Sequence, residues 1–142
     1  MYGYAALTKA MKELSDLRAE MMAGGCSEVQ RNRFTEVYLS VLAAQARSAG
    51  SVRRLALGQT LGPDSSVDKL VFAKAERQVN DLLLDIRRDR LLAGSPDEAA
   101  HLDTARSEWW YSRTATLMGG TAEIQRGIIA DHLLGLPKEK RA

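Results

Sequence analysis

From Tyr4 onward the apolar positions Tyr4, Leu7, Met11, Leu14, Leu17 and Met21 recur every three or four residues until Gly24-Gly25. That spacing predicts a helix with one buried stripe, closed by glycine. Ser27 followed three residues later by Gln30 forms a capping box, and Phe34, Val37, Tyr38, Val41, Leu42, Gln45 and Ala49 carry a second stripe. This second helix is expected to pass Gly50, with a bend there, and to end before Leu61-Gly62. After Pro63, the residues Asp64, Ser65 and Ser66 offer caps, with Asp68 three beyond Ser65. Val67, Leu70, Val71, Val79, Leu82, Leu83 and Ile86 then predict a third helix reaching about Ala93, before Gly94.

Ser95-Pro96-Asp97-Glu98 reads as a helix start: a cap, a proline in the first turn, then acids where the helix dipole favours negative charge. One or two helices are expected over 97–118. Gly119-Gly120 breaks the chain, Thr121 can cap, and Ile124, Ile128, Ile129 and Leu133 form a last short stripe before Gly135 and Pro137. Three long helices and one or two shorter ones can hide their stripes only against one another. The expected fold is therefore an all-α antiparallel bundle over 1–137, with 138–142 as a frayed tail.

Composition narrows the function classes. The 142 residues are 45% hydrophobic, enough for one core, and 20 basic against 18 acidic residues leave too little net charge for a counterion-release argument. Nucleic acid is disfavoured on that ground. One cysteine, Cys26, excludes an internal disulfide, and His101 and His132 alone furnish no metal site, so no metal is expected. No apolar run approaches the roughly 20 residues of a membrane span, and Met1-Tyr2-Gly3-Tyr4 lacks the order of a signal peptide. A cytoplasmic protein without membrane attachment is the expectation.

Local patterns offer several chemistries, each with a plainer reading beside it. Met118-Gly119-Gly120-Thr121-Ala122-Glu123 lets a ligand approach backbone N–H groups at a helix start, yet it also reads as a glycine C-cap followed by a threonine N-cap. Trp109-Trp110-Tyr111, between Arg106 and Arg113, can stack on a planar ligand, but consecutive aromatics on a helix face different ways and serve core and interface. Arg87, Arg88 and Arg90 beside Asp85 and Asp89 suit a phosphate clasp or a solvated charged face. Cys26 has no base partner, the methionines Met11, Met21 and Met22 read as core filling, and His132 reads as structural or exposed.

The stretch from Trp110 to Ala130, with Gly120-Thr121-Ala122-Glu123-Ile124-Gln125-Arg126 at its centre, closely resembles the acyl-CoA dehydrogenase signature, in which alanine replaces serine only at Ala122. Leu133-Leu134-Gly135-Leu136-Pro137 is similar to the end of many bacterial members, and Gly62-Pro63-Asp64-Ser65-Ser66-Val67-Asp68-Lys69-Leu70 to the turn into the family's third bundle helix. The resemblance covers essentially the whole chain and identifies it with the family's carboxy-terminal helical domain.

What the resemblance implies is an FAD-dependent desaturase acting on an acyl-CoA thioester, in which a carboxylate removes a proton beside the carbonyl while the flavin takes a hydride from the next carbon. Arg31 and Phe34 resemble an Arg-x-x-Phe pair that reaches the FAD of a neighbouring subunit. Thr121 and Glu123 would contact the cofactor, and the Gly119 backbone N–H would donate to the thioester carbonyl. Position 119, where many members carry the glutamate base, is glycine, and the alternative base position would lie at or before Met1. Where many members have a Gly-rich turn near the neighbour's FAD, this chain has Ile86-Arg87-Arg88-Asp89, whose bulk obstructs a close approach.

The family's amino-terminal helical and middle β-domains have no counterpart here, so this chain alone is not expected to be catalytically competent. The expected role is that of the carboxy-terminal domain of a dehydrogenase, supplying FAD contacts and an oligomer interface, with an electron-transfer flavoprotein as acceptor. The alternative is a non-catalytic helical assembly subunit that pairs with a full-length dehydrogenase.

Overall fold

The computed structural model describes residues 2–89 and 96–137. Among them stand five α-helices: α1 (Tyr2–Gly24), α2 (Glu28–Ala56), α3 (Asp64–Ile86), α4 (Pro96–Thr114) and α5 (Ala122–Ile128). A π-helical turn, Ile129–Leu133, continues α5. The fold is an all-α helical bundle, as the hydrophobic periodicity predicts. Of the expectations above, the cap at Ser95, the end of helix three near Ala93 and the frayed tail lie outside the described residues.

The starts and stops follow local chemistry. Ser27 and Gln30 close their capping box on α2, each side chain bonding the other's backbone N–H, and α2 ends with Gly58 at φ +74°. Helix α3 departs from expectation at both ends. It begins at Asp64 with no side-chain cap, because the candidate caps are committed elsewhere: the Ser65 hydroxyl donates to the Gly62 carbonyl, and Asp64 and Asp68 pair with Arg54 and Arg47 of α2. At its far end α3 is interrupted after Ile86 by a turn at Arg87, whose guanidinium grips Glu20 of α1 at 2.6 and 3.2 Å, and Arg88 and Asp89 are helical again.

Cross-helix pairs fix the register. Arg33 meets Asp85, Ser40 meets Gln78, and Arg54 meets Asp64, so α2 and α3 run antiparallel. Gln45 of α2 bonds the Leu7 carbonyl of α1, and Asp81 of α3 binds Trp109 and Arg113 of α4. Helix α3 is the spine, touching every other helix and the π-helical turn. The core lies among α1, α2 and α3, where Leu7, Leu14, Leu17, Val41, Val79 and Leu82 are buried. Burying each such leucine stabilises the fold by roughly 2 kcal/mol. Among the described residues no helix is long and apolar enough to cross a membrane.

Candidate functional site

The chain reverses between α4 and α5 through two glycines that only glycine suits, Gly119 at φ +70° and Gly120 at φ +97°. Thr121 then caps α5 through its hydroxyl, which accepts from the Ile124 N–H at 3.4 Å. Two side chains hold this turn from beneath. Gln125 is only 8% exposed and donates through Nε2 to the Gly119 carbonyl at 2.8 Å. Lys69, on α3, donates to the Ala115 carbonyl at 2.6 Å. The N–H groups of Gly119, Gly120 and Thr121 meet no acceptor among the described residues. Such a run of unbonded N–H groups suits a partial negative charge.

Glu123 sits one step along, exposed, with Arg126 at 3.5 Å. Its own backbone N–H and the Thr121 hydroxyl hold its carboxyl below the usual range, so it stays charged and accepts hydrogen bonds. Gly119 brings a backbone N–H to the turn but no side chain to act as a base.

Arg31 and Phe34 lie near the start of α2. Phe34 stacks on Tyr38, with ring centroids 6.0 Å apart, and packs on the core. The Arg31 guanidinium is exposed and pairs with no carboxylate among the described residues. This end of the bundle is level with Asp85, through its pair with Arg33, whereas the glycine turn is level with Lys69. Sixteen residues of helix separate the two levels, about 24 Å. The structure therefore groups Gly119, Thr121 and Glu123, groups Arg31 with Phe34, and leaves the two sets far apart within one chain.

Other sequence candidates resolve into packing. Trp109 donates through Nε1 to Asp81 at 2.8 Å, Arg113 covers its ring at 4.0 Å from the centroid, and Trp110 meets it edge-on. That leaves Trp110 and Tyr111, both exposed, as the accessible rings. Partial burial alone would raise the Asp81 carboxyl, but the bonds from Arg113 and Trp109 outweigh it and hold the carboxyl below its usual range. Lys69 and Gln125 stand in the segments that carry the resemblance, but their role in shaping the turn has no local signal, since it depends on a contact between helices in one case and on a side chain folding back in the other.

A separate electrostatic cluster joins α1, α3 and α4. Lys9 lies 2.8 Å from Glu108 and 3.8 Å from Glu13. Burial, with Glu108 adding repulsion, raises the carboxyls of both Glu13 and Glu76. A carboxyl raised on folding is more readily protonated in the native state, so its contribution favours folding at low pH and is lost as pH rises from the ordinary glutamate value of 4.5 through the folded value. Glu76→Gln is thus expected to raise the urea midpoint at pH 7 and leave it unchanged near pH 4. Equal midpoints for variant and parent at both pH values would remove this assignment.

Between α3 and α5, with the end of α4, runs a groove of about 480 Å³ whose lining includes Lys69, Lys74, Arg77, Asp81, Gln78 and Arg126.

Comparison with known proteins gives a direction for these features. The chain is 36% identical over 74 residues to acyl-CoA dehydrogenase IpdE1 of Mycolicibacterium smegmatis, covering 52% of this chain and 18% of that protein. It is 30% identical over 135 residues to acyl-CoA dehydrogenase IpdE1 of Mycobacterium tuberculosis, covering 92% of this chain and 33% of that protein. No established family profile matches the chain, and no solved structure does. The chain spans a third or less of the length of these relatives. Together with the helical bundle and the glycine turn at 119–121, these matches relate the chain to the acyl-CoA dehydrogenase family.

Proposed function

We propose that this chain is the helical carboxy-terminal domain of an FAD-dependent acyl-CoA dehydrogenase, contributing cofactor contacts and a subunit interface. The observation that carries the reading is the glycine turn: its free N–H groups, the Thr121 hydroxyl and the charged Glu123 carboxylate offer donors and acceptors that fit a flavin nucleotide's phosphates and hydroxyls. The unpaired Arg31 guanidinium fits a phosphate in the same way at the other end of the bundle. When bound, FAD would accept the hydride in desaturation of an acyl-CoA thioester. This chain's own residues bind and orient: Gly119 donates its N–H toward a thioester carbonyl, while no residue at that position takes the proton.

The 24 Å between the two sets supports an oligomer in which Arg31 serves one cofactor and Thr121 another. Leu39 and Leu42, exposed on α2 beside the small Ala43 and Ala46, supply an apolar face for association. A cytoplasmic location and an electron-transfer flavoprotein acceptor accompany this reading.

The reading is tested by dialysing the purified chain with excess FAD and recording its visible spectrum. Retained flavin absorbance is expected, with Arg31→Ala and Thr121→Val each lowering the flavin-to-protein ratio. A colourless protein, or variants that keep full flavin, would defeat it. Gly119 in place of a base, and an Arg87 already engaged by Glu20, favour a second reading, a non-catalytic subunit that assembles with a full-length dehydrogenase. Capture of such a partner by a colourless chain would support that alternative.

A further inference from the structure

The glycine turn is shaped by one side chain and placed by another. Gln125 belongs to α5, so its bond to the Gly119 carbonyl folds the turn onto its own helix and travels with it. Lys69 comes from α3 and donates to the Ala115 carbonyl at 2.6 Å, at the near end of the reversal. At the far end, a Cβ on Gly119 would stand only 3.9 Å from the same Nζ. One ammonium therefore sits between both ends of the 115–119 segment.

The place it occupies is prepared from two sides. Helix α4 ends at Thr114, whose carbonyl takes the Leu117 and Met118 N–H groups, while the Arg113 carbonyl takes the Thr116 N–H. No backbone N–H among the described residues reaches the Ala115 carbonyl, so Lys69 serves as its cap, at the helix end where the dipole favours a cation. On α3, the preceding residue is fixed to α2: Arg47 pairs with Asp68 through buried atoms, and the Ser51 hydroxyl donates to Asp68. One residue further is about 100° round the helix, so Asp68 faces α2 while Lys69 faces the turn. The lysine thus reaches out from an anchored point.

We propose that Lys69 is a positioning residue for the turn: bonded to the Ala115 carbonyl beside Gly119, it sets where the Gly119, Gly120 and Thr121 N–H groups stand on the bundle. It acts through the backbone, and its bond is charge-assisted, which suits a fixed geometry. The inference rests on the proposed function, because that reading gives the turn its ligand.

The test compares the intact chain with Lys69→Met, which keeps the stem and drops the donor, and Lys69→Arg, which restores a cationic donor. Two quantities are read: the NMR resonances of the Ala115 carbonyl and the 119–121 amides without FAD, and the flavin-to-protein ratio after dialysis with FAD. In Lys69→Met the resonances are expected to move while those of α1 stay in place, and the flavin ratio to fall about fivefold. Lys69→Arg should recover both. A colourless parent would defeat the flavin reading alone, since the resonances decide the positioning role without cofactor. Resonances unmoved in Lys69→Met, or displaced as far in Lys69→Arg, would overturn the proposal. So would changes spreading into α1, which mark a general packing role, or full flavin in a Lys69→Met chain whose turn has moved.

Discussion

Leu82→Ala should lower the stability of the chain by about 3 kcal/mol and its melting temperature by roughly 10 °C. Leu82 is 0% exposed and lies on α3, the one helix that touches all the others. Its truncation removes the transfer free energy of the side chain and leaves a cavity in the core shared by α1, α2 and α3 that neighbours can fill only in part. Leu39→Ala, by contrast, alters a residue 58% exposed on the outer face of α2 and should fall within about 0.5 kcal/mol of the parent. Thermal unfolding of both variants checks the pair. Similar losses would mean that α3 is not the helix on which the core depends.

The second large effect is expected at Gly120. An alanine there would face two independent costs. The backbone at φ +97° is one that L residues rarely adopt, costing about 1–2 kcal/mol, and the added Cβ would stand 2.6 Å from Gln125 Nε2. Moving Gln125 aside breaks its bond to the Gly119 carbonyl, about 1 kcal/mol more. Gly120→Ala should therefore lose about 2–3 kcal/mol in total and, on the proposed function, its flavin as well. Adding Gln125→Ala removes the overlap but not the backbone strain. The double variant should remain less stable than Gln125→Ala alone, and equal stability of those two would show that the strain is negligible.

How legible all this is in the sequence depends on the range of the interaction involved. Periodicity reveals α1, because Leu7, Leu14, Leu17 and Met21 obey one stripe and all are buried. The capping box at Ser27 is equally local, four consecutive residues sufficing to specify it. The end of α3 is not local: no glycine or proline marks a stop at Ile86, but Arg87 turns where Glu20, far away in sequence, holds its guanidinium. The same holds for the caps of α3, since Asp64 and Asp68 are drawn to Arg54 and Arg47 on another helix. At the candidate site, the residues of the glycine turn are visible as a motif with its resemblance, yet the separation of Arg31 from Thr121 is a property of the packing. Lys69 and the Lys74, Arg77 and Arg126 groove emerge only when α3 and α5 are set side by side.

The distribution of the core bears on how the bundle comes apart. Every described residue of the main hydrophobic cluster belongs to α1, the α1–α2 turn, α2 or α3. Helix α4 and the turn after it are held instead by polar links, namely Asp81 of α3 with Trp109 and Arg113, Lys69 of α3 with the Ala115 carbonyl, and Lys9 of α1 with Glu108. The molecule thus resembles a three-helix foldon carrying a second, weaker cooperative unit. Amide protons in α4 and α5 belong to the tier that exchanges by partial opening, and those of α3 to the tier that awaits global unfolding. On this division, the layer that carries the glycine turn is expected to open at lower denaturant than its support, which hydrogen exchange would read directly.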